Sequence, residues 1–295
     1  MSASPEPSAV VVTGAAGYIG RHVVTALINR GHRVVAVVRP GSRDRVDPAA
    51  EIREADILAP EFDPATVVDA STAAFVHLAW QDGFRHDAPS HMLALSAHFR
   101  LLTAVAELGV PRLSVLGTMH EIGYWEGAID ETTPARPRSL YGIAKNALRT
   151  ALDVAIPATT DVAWLRCFYI LGDDRNNSSI FAKLLDAADR GQTTFPFTSG
   201  RNEYDFIDVH ELADQIAVAS VTDGVTGIIN CASGEPMSLG ARVEQFIADN
   251  SLAITLEYGA FPDREYDSPG VWGDATRIRQ LMASAAPAAA AGTAR

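Results

Sequence analysis

Cysteine is scarce in this chain, and basic runs are missing. Only Cys167 and Cys231 occur among 295 residues, each inside an apolar run typical of a strand. Two such residues form neither a disulfide framework nor a metal-ligand pattern, so we expect buried free thiols. The net charge is −12, and no stretch concentrates Lys or Arg. Because phosphate groups require a basic patch, the sequence predicts no nucleic-acid partner and no anionic-membrane partner.

Long apolar runs are also missing. No stretch is long enough to span a bilayer, and the start, MSASPEPSAV, lacks the basic and apolar regions of a secretory signal. Hydrophobic residues make up 47% and charged residues 20%, which is an ordinary globular composition. We therefore expect a soluble cytoplasmic protein. A homodimer is one possible assembly, which these patterns do not decide.

Short apolar segments alternate with helical patterns in the first part of the chain. The segment RVVAVVR (33–39) is a continuous apolar strand, as in parallel sheets buried on both faces. The other predicted strands are 10–12, 73–78, 112–116 and 161–168, and the predicted helices are 18–29, 90–108 and 139–154. This alternation predicts an α/β fold, a doubly wound parallel sheet of the Rossmann type over residues 8–170.

The pattern changes after Leu171-Gly172. Shorter elements follow, with helices at 178–190, from 209 and at 238–249, and strands at 204–207, 227–232 and 254–258. We interpret 171–283 as a smaller C-terminal substrate lobe, with pieces near 204–231 returning to the Rossmann sheet. The Ala-rich segment 284–295 is low in complexity and is predicted to be a flexible tail.

Three glycines spaced by three residues stand between the first strand and the first helix, in the segment TGAAGYIG (13–20). Gly14 permits a tight turn, Gly17 lets the backbone approach a pyrophosphate, and Gly20 lets helix and strand pack closely. The helix N-terminus, expected at Tyr18, offers free N–H groups to phosphates. The segment predicts a dinucleotide site, and the alternative is a turn that is merely rich in glycine.

The end of the second strand indicates which dinucleotide is bound. An NAD-selective site carries an acid there, whereas this chain has Arg39, followed by Arg43. A guanidinium pairs with a 2′-phosphate, so NADP(H) is favoured over NAD(H). The alternative is that Arg39 is a solvated charge at a strand end. Asp56 stands where a carboxylate could accept from the adenine amino group, although it could equally be a cap.

Tyr141 and Lys145 form a Tyr-x-x-x-Lys pair just inside a predicted helix. Their spacing places both side chains on one helix face. A phenol has an ordinary pKa of about 10, and an adjacent ammonium stabilises its phenolate, which helps the phenol to move a proton at neutral pH. Together with the glycine turn and with a hydroxyl at a strand end 23 residues upstream, Thr118, the pair indicates a catalytic site.

These segments resemble the extended short-chain dehydrogenase/reductase family, or NAD-dependent epimerase/dehydratase family. The matching motifs, between about Val10 and Leu281, are TGAAGYIG, ADIL (55–58), HLAW (77–80, in place of the usual HLAA), Thr118, YGIAK (141–145), YDFIDVHELA (204–213) and GIINCASGEPMSL (227–239). By this resemblance Thr118, Tyr141 and Lys145 would form a catalytic triad. Tyr141 would move the substrate proton, Lys145 would lower the pKa of Tyr141 and hold the nicotinamide ribose, and Thr118 would bind the substrate oxygen.

The resemblance also implies which residues surround the two ligands. The cofactor-binding residues would be Gly14, Gly17, Tyr18, Ile19, Arg39, Asp56, Leu78, Ala79, Tyr141 and Lys145. A nucleoside-diphosphate sugar would lie between the C-terminal lobe and the loop after Thr118. The substrate-binding residues would be Trp80, Met119, His120, Glu121, Tyr124, Asn177, Arg201 and Tyr204.

The loop after Thr118 departs from the pattern of the family's dehydratases. Those carry an Asp-Glu pair directly after the Thr, as acid and base, where this chain has Met119 and His120. Glu121 falls one position later. His120 or Glu121 is therefore either an acid/base group or a wall of the sugar pocket. A zinc site would need a second His four residues beyond the first, which is missing, so no metal is expected.

Tyr204 replaces the Arg that grips the diphosphate in many members, a role that Arg201 or Arg175 could take. His91 and His98 lie seven residues apart on a predicted helix and are expected to form a packed or solvated face.

Within the family, the segment TMHEIGYWEGAIDE…SLYGIAKNALR looks most like bacterial 4-keto-6-deoxyhexose reductases. The resemblance thus implies NADPH-dependent reduction of the 4-keto group of a nucleotide-linked 4-keto-6-deoxysugar, with dTDP as the expected nucleotide. Two alternatives stay open. A nucleotide-sugar 4-epimerase with a tightly retained NAD is disfavoured by Arg39, and a non-catalytic dinucleotide sensor is disfavoured by the intact YGIAK motif.

Overall fold

A computed structural model describes residues 8–172, 179–263 and 268–285. In these ranges the strands are β1 (Ala9–Thr13), β2 (Arg33–Val38), β3 (Glu51–Glu54), β4 (Thr72–His77), β5 (Arg112–Thr118), β6 (Gly127–Ile129), β7 (Asp161–Cys167), β8 (Tyr169–Leu171), β9 (Thr194–Pro196), β10 (Glu203–Asp208), β11 (Gly227–Cys231), β12 (Pro236–Ser238), β13 (Thr255–Glu257) and β14 (Gly270–Gly273). The α-helices are α1 (Gly20–Asn29), α2 (Ser90–Leu93), α3 (Leu95–Glu107), α4 (Leu140–Ala155), α5 (Ile180–Asp189), α6 (Val209–Val221), α7 (Leu239–Asp249) and α8 (Thr276–Ala285).

Seven strands form a parallel sheet in the order β11-β7-β5-β4-β1-β2-β3. One apolar cluster packs α1 and α6 against one face of this sheet, and a second cluster packs α3 and α4 against the other. All five residues of β1 are buried, as expected for a strand between two helical layers. The predicted doubly wound α/β fold is confirmed.

The strand order reverses between β1 and β4, which lie side by side with Thr13 opposite His77. From this pair the sheet continues through β2 and β3 on one side and through β5, β7 and β11 on the other. At such a switch point the connections diverge and leave a crevice at the carboxyl ends of the strands, where α/β proteins bind ligands. The turn after β1, the residues after β4 and Thr118 at the end of β5 all border this crevice.

A second sheet joins distant parts of the chain, with β10 pairing with β8, β12 and β14, and β14 pairing in turn with β6. The two-stranded sheet of β9 and β13 packs with α5 and α7 around a separate apolar cluster. The pieces near 204–231 therefore divide. Helix α6 and strand β11 pack with the large sheet, whereas β10 belongs to the second sheet.

Several element boundaries differ from the predicted ones, and three of these differences concern helices. Helix α1 begins at Gly20 rather than Tyr18, because the glycine turn occupies the residues before it. The helix predicted over 90–108 is two helices, α2 and α3, which meet at Ala94. Helix α8 runs to Ala285, so the first two residues of the predicted tail are helical, and 286–295 lie outside the described residues. Across the described ranges, the chain has no helix that is both long enough and apolar enough to cross a membrane.

Candidate active site

The glycine turn after β1 is shaped by close backbone contacts. Gly14 has a φ of +69°, and a Cβ placed on it would lie 2.6 Å from the backbone nitrogen of Ala79. The N–H of Gly17 donates to the carbonyl oxygen of Gly14 at 2.9 Å. A Cβ on Gly20 would overlap that same oxygen. The turn therefore tolerates no side chain at Gly14 or Gly20, and it leads directly into the N-terminus of α1, the kind of position at which dinucleotide phosphates are bound.

Four more of the residues predicted to contact the dinucleotide follow β2, β3 or β4. The N–H of Leu78 donates to the carbonyl oxygen of Thr13 at 3.1 Å, which fixes the Leu78-Ala79 segment beside Gly14. Arg39 directly follows β2 and is exposed. Asp56 is exposed and accepts a hydrogen bond from the N–H of Leu58 at 3.2 Å, so its carboxylate caps its own turn.

Tyr18 and Ile19 lie in the turn between Gly17 and α1. The Tyr18 ring lies against Gly172, where a Cβ would meet the Tyr18 hydroxyl, and it approaches Phe84 with 6.3 Å between ring centroids. Ile19 is the residue at which α1 is capped. Both are half-buried at the mouth of the crevice.

Thr118, Tyr141 and Lys145 come together at the carboxyl end of β5. Ser139 caps α4 by accepting from the N–H of Gly142 at 3.2 Å, which starts the helix so that Tyr141 and Lys145 share its inner face. The Thr118 side chain lies close enough to the Tyr141 phenol to lower the pKa of that phenol. Lys145 is buried, and its Nζ donates to the carbonyl oxygen of Leu116 at 2.6 Å.

Burial sets the protonation of both catalytic candidates. It raises the pKa of Tyr141 well above its ordinary value, although the nearby Thr118 side chain opposes this. It lowers the pKa of Lys145 to about 7, and the carboxylate of Glu121 opposes this change. At neutral pH the phenol is therefore protonated and can donate a proton, while the amine titrates close to neutrality.

Glu121 is directed away from the crevice, although it was a predicted substrate-binding residue. Its side chain is fully buried and accepts from the N–H of Thr118 at 2.7 Å and from Nε1 of Trp164 at 2.9 Å. Its Oε2 lies 3.6 Å from the Arg166 guanidinium. Residues 119–121 form a short 3-10 helix in which Thr118 and Glu121 cap each other. Glu121 thus supports the strand end that presents Thr118, and it is not available to touch a sugar in the crevice.

Two histidine rings flank Tyr141. The His86 ring stacks on the Tyr141 ring with 5.5 Å between centroids, and the His120 ring lies 4.2 Å from the His86 ring. Burial lowers the pKa of His120 to about 3, and it also lowers the pKa of His86. Both rings are therefore neutral at physiological pH, and they form a wall beside the phenol. His86 was missed in the sequence, since it lies in a loop with no motif.

The other predicted substrate residues are spread along the second sheet and its borders. Met119 is buried, and Tyr204 packs against Tyr169 with 4.4 Å between rings. Tyr124 is exposed and donates to Glu126. Arg201 is exposed. Asn177 and Arg175, the other two predicted positions, lie outside the described residues.

A chain of buried histidines behind the site was not predicted from the sequence. Thr13 Oγ1 lies 2.8 Å from Nδ1 of His77, whose Nε2 lies 2.9 Å from Nδ1 of His98. His91 is buried as well, so the interpretation of His91 and His98 as packed rather than solvated is the one the structure supports. Burial lowers the pKa of His98 to about 3 and that of His77 well below its ordinary value. The seven-residue spacing of His91 and His98 was visible in the sequence, but their partners lie on other elements: His98 contacts His77 at the end of β4, and His91 contacts Trp80 and the Arg85 carbonyl in the loop that follows.

The residues present fit a dinucleotide. A Cβ at Gly14 would collide with the backbone of Ala79, and one at Gly17 would press on the carbonyl oxygen of Gly14, so the turn that precedes α1 stays free of side chains at both positions. Within 8–172, 179–263 and 268–285, no three His, Cys, Asp or Glu side chains come together as a metal site would need. Cys167 and Cys231 are free and buried, as predicted.

Known proteins share this arrangement along almost the whole chain. The model of the NAD dependent epimerase/dehydratase family matches residues 10–232. A protein of Aggregatibacter actinomycetemcomitans named dTDP-6-deoxy-L-talose 4-dehydrogenase (NAD(+)) is 46% identical over 267 residues, which cover 90% of this chain and 98% of the relative. UDP-arabinose 4-epimerase 1 of Arabidopsis thaliana is 28% identical over 323 residues, covering 94% of this chain and 75% of the relative.

Solved structures with a similar fold include nucleotide-sugar enzymes. MoeE5 in complex with UDP-glucuronic acid and NAD has a TM-score of 0.76 and 27% identity, covering 93% of this chain and 92% of that one. A UDP-glucose 4-epimerase has a TM-score of 0.80 at 19% identity, over 92% of this chain and 90% of that one, and shows the fold alone. Fold and site together define an enzyme of the short-chain dehydrogenase/reductase type, a class that uses a pyridine nucleotide. More narrowly, the chain belongs to the NAD dependent epimerase/dehydratase family.

Proposed function

We propose that this protein reduces the 4-keto group of a dTDP-linked 4-keto-6-deoxyhexose to a hydroxyl, with NADPH as the source of hydride. The observation that carries the proposal is the buried Tyr141 phenol, which is protonated because burial raises its pKa, and which lies beside the Thr118 side chain and one helical turn from Lys145. The relative from Aggregatibacter supports the substrate class, because its name places a dehydrogenation at position 4 of a dTDP-linked 6-deoxy sugar.

Three side chains would share the proton chemistry. When bound, the dinucleotide supplies hydride to C4 of the sugar. Thr118 would hold the carbonyl oxygen through its hydroxyl, and Tyr141 would donate its proton to that oxygen as negative charge develops there. Lys145 in its charged form would stabilise the phenolate that Tyr141 leaves behind. Because burial raises the pKa of Tyr141, its protonated form, the one that reduction needs, prevails at neutral pH.

The preference for NADPH rests on Arg39. Its guanidinium follows β2 with no acid at that strand end, and a 2′-phosphate would make a charge-assisted pair with it. The name of the Aggregatibacter relative specifies NAD(+) instead. Kinetics with each reduced cofactor, at equal sugar concentration, therefore decide this part of the proposal.

The loop that follows Thr118 disfavours a dehydratase activity. Eliminating water needs an acid and a base within reach of adjacent sugar carbons. Of the two residues after Thr118, Met119 has no proton to transfer, and His120 is held neutral by burial, which lowers its pKa to about 3. Glu121 is enclosed by Trp164 and Arg166.

The test is incubation of the purified protein with dTDP-4-keto-6-deoxyhexoses and NADPH or NADH, followed by absorbance and by NMR of the product. The proposal predicts consumption of one reduced cofactor per sugar, and deuterium from labelled cofactor at C4. Deuterium at C6, or a keto product formed from a 6-hydroxylated sugar nucleotide without net cofactor use, would establish a dehydratase. Inversion at C4 of a dTDP- or UDP-hexose by protein with retained NAD would establish the 4-epimerase.

A further inference from the structure

The buried amine of Lys145 rests on an aromatic face. Its Nζ lies 3.8 Å from the centroid of the Trp80 ring and donates one hydrogen bond, to the carbonyl oxygen of Leu116 at 2.6 Å. Lys145 is 1% exposed, so its ammonium form has exchanged water for these contacts. An ammonium over an indole is attracted by the ring quadrupole, most strongly when both are desolvated.

Trp80 is itself held on two sides by histidines. Its Nε1–H donates to Nδ1 of His91 at 3.0 Å, and Nε2 of His91 donates in turn to the carbonyl oxygen of Arg85 at 2.9 Å. The opposite constraint comes from His98, whose ring stacks on the indole with 4.4 Å between centroids and 14° between planes. A ring fixed at its edge and on one face can present its other face in one orientation.

The support continues back to the dinucleotide turn. His98 is hydrogen-bonded to His77, and His77 to the hydroxyl of Thr13, the last residue of β1. One chain of contacts therefore runs from the strand that begins the glycine turn, through two histidines and Trp80, to the amine of Lys145. In the HLAW motif Trp80 takes the position of the second Ala of HLAA, a residue that has no aromatic face to offer.

We propose that Trp80 is a positioning residue, whose π face holds the Lys145 ammonium beside Tyr141 and stabilises its protonated state. The inference rests on the proposed function only for the use that the reaction makes of Lys145. The contact itself can be measured without any turnover.

Other titratable groups facing Lys145 do not replace this support. Glu121 of the 3-10 helix favours the charged amine, but its carboxylate is paired with Arg166. His77 of β4 and His98 of α3 are held neutral by burial, and the Cys167 thiol of β7 and the Tyr141 phenol are protonated at neutral pH because burial raises their pKa values. Trp80 and the Leu116 carbonyl are thus the neutral groups that contact the ammonium directly.

The chain allows an unusually direct test, because it contains two lysines only, Lys145 and Lys183. Protein labelled with ¹³C at the lysine Cε gives two signals, and the exposed Lys183 serves as the internal reference. In the unmodified protein, the proposal predicts that the Cε protons of Lys145 lie upfield of those of Lys183 through the ring current of Trp80. Equal proton shifts for the two lysines at pH 6 would overturn the proposed contact.

Two variants separate the aromatic face from the space that it fills. Trp80→Leu removes the π face, and the pKa of Lys145, read from the ¹³C titration, is expected to fall by about one pH unit. Trp80→Phe keeps an aromatic face but loses the hydrogen bond to His91. In this variant the pKa of Lys145 should stay close to its value in the wild type. If Phe and Leu lower the pKa equally, or if Leu leaves it unchanged, the π face has no such role.

Kinetic measurements test the role of Trp80 in the reaction independently of the NMR titration. If the wild type reduces the sugar, the alkaline limb of its pH–rate profile should move to lower pH in Trp80→Leu, in step with the NMR titration. Absence of turnover in the wild type would contradict the proposed function and leave the titration result standing. Normal turnover with unchanged titration in Trp80→Leu would contradict only the present inference.

Discussion

The carboxylate of Glu121 lies directly beneath Thr118 and accepts the hydrogen bond of its backbone N–H, with 2.7 Å between nitrogen and Oε1. The same carboxylate is the counter-charge of the buried Arg166 guanidinium, 3.6 Å away. A charged pair is therefore built into the floor of the candidate active site, and it holds the strand end that carries Thr118.

Removing the charge of Glu121 should destabilise the fold. Glu121→Gln retains the size of the side chain but leaves Arg166 buried without its partner, which typically costs about 3–5 kcal/mol. The measurement is the free energy of unfolding in urea at pH 7. Glu235→Gln is the matched control, because its ion pair with Arg279 is exposed and should matter little. An equal decrease in the free energy of unfolding of the two variants would show that the buried ion pair stabilises the fold no more than the exposed one.

Tyr141→Phe should lower the turnover rate by about 10²–10⁴ and leave cofactor affinity nearly unchanged, since the phenol is the proposed proton donor. Lys145→Ala should impair both, because the amine is proposed to contact the ribose as well. Turnover and cofactor titration report the two effects. The control is Tyr258→Phe, because the Tyr258 side chain is exposed and its hydroxyl donates to Glu244 on α7, away from the candidate site. A near-normal rate in Tyr141→Phe would mean that another group donates the proton.

Arg39→Ala should weaken NADPH binding by roughly 1.5–3 kcal/mol, as expected for loss of a charge-assisted hydrogen bond, and should change NADH binding little. Binding of each cofactor is measured by fluorescence titration at constant ionic strength. Arg53→Ala on β3, whose side chain pairs with Glu51, controls for the lost positive charge. Equal losses for both cofactors in Arg39→Ala would contradict the assignment of a 2′-phosphate to Arg39.

Gly14→Ala should reduce cofactor affinity far more than Gly31→Ala. Both positions have a positive φ, +69° and +85°, so each substitution carries a backbone cost of about 1–2 kcal/mol. A Cβ at Gly31 meets nothing within 4 Å, whereas one at Gly14 meets the backbone of Ala79. Unfolding measurements report the backbone strain that the two variants share, and cofactor titrations report the local clash at Gly14. Equal cofactor affinities in the two variants would contradict an effect of the clash on the cofactor site.

Acid should unfold the protein partly through His98. Burial lowers its folded-state pKa to about 3, whereas an unfolded His titrates at about 6.5. The unfolded state therefore binds the extra proton as the pH falls from 6.5 toward 3, and stability decreases by up to about 1.4 kcal/mol per pH unit. His98→Phe should flatten the slope of unfolding free energy between pH 6.5 and 4.5, and the exposed His210→Gln should not. An unchanged slope in His98→Phe would mean that His98 is not buried in its neutral form.

The parts of the site that were predicted from the sequence are those defined by local spacing. The glycines of the turn need only a strand before them and a helix after them, and Tyr141 and Lys145 need only one helix. Thr118 could be placed because an apolar strand leads to it. The structure brings these residues to one crevice, and their roles are the proposals tested above.

What the sequence could not predict depends on distant partners. Glu121 follows Thr118 in a loop that looked open to substrate, but Trp164 and Arg166 on a neighbouring strand draw it inward. Trp80 was assigned to the sugar pocket, and the amine of Lys145 lies over its ring instead. The periodicity of the sequence describes single helices and strands and does not predict such contacts. The residues involved lie on different elements and meet only in the folded sheet.

The pairing of β6 with β14 has a mechanical consequence. Gly127–Ile129 leaves the loop of Thr118 and enters a sheet whose other strands come from after residue 168, with Val271 opposite Gly127 and Gly273 opposite Ile129. The carbonyl of Ile129 is gripped further by Asn230 at 2.7 Å and by the N–H of Asp274 at 2.8 Å. The segment after Thr118 is thus held by residues from the C-terminal part of the chain. A fragment ending near residue 170 would lack the strand with which β6 pairs. A tilt of the second sheet would move β6 with it, and so displace the segment that leads back to the Thr118 hydroxyl.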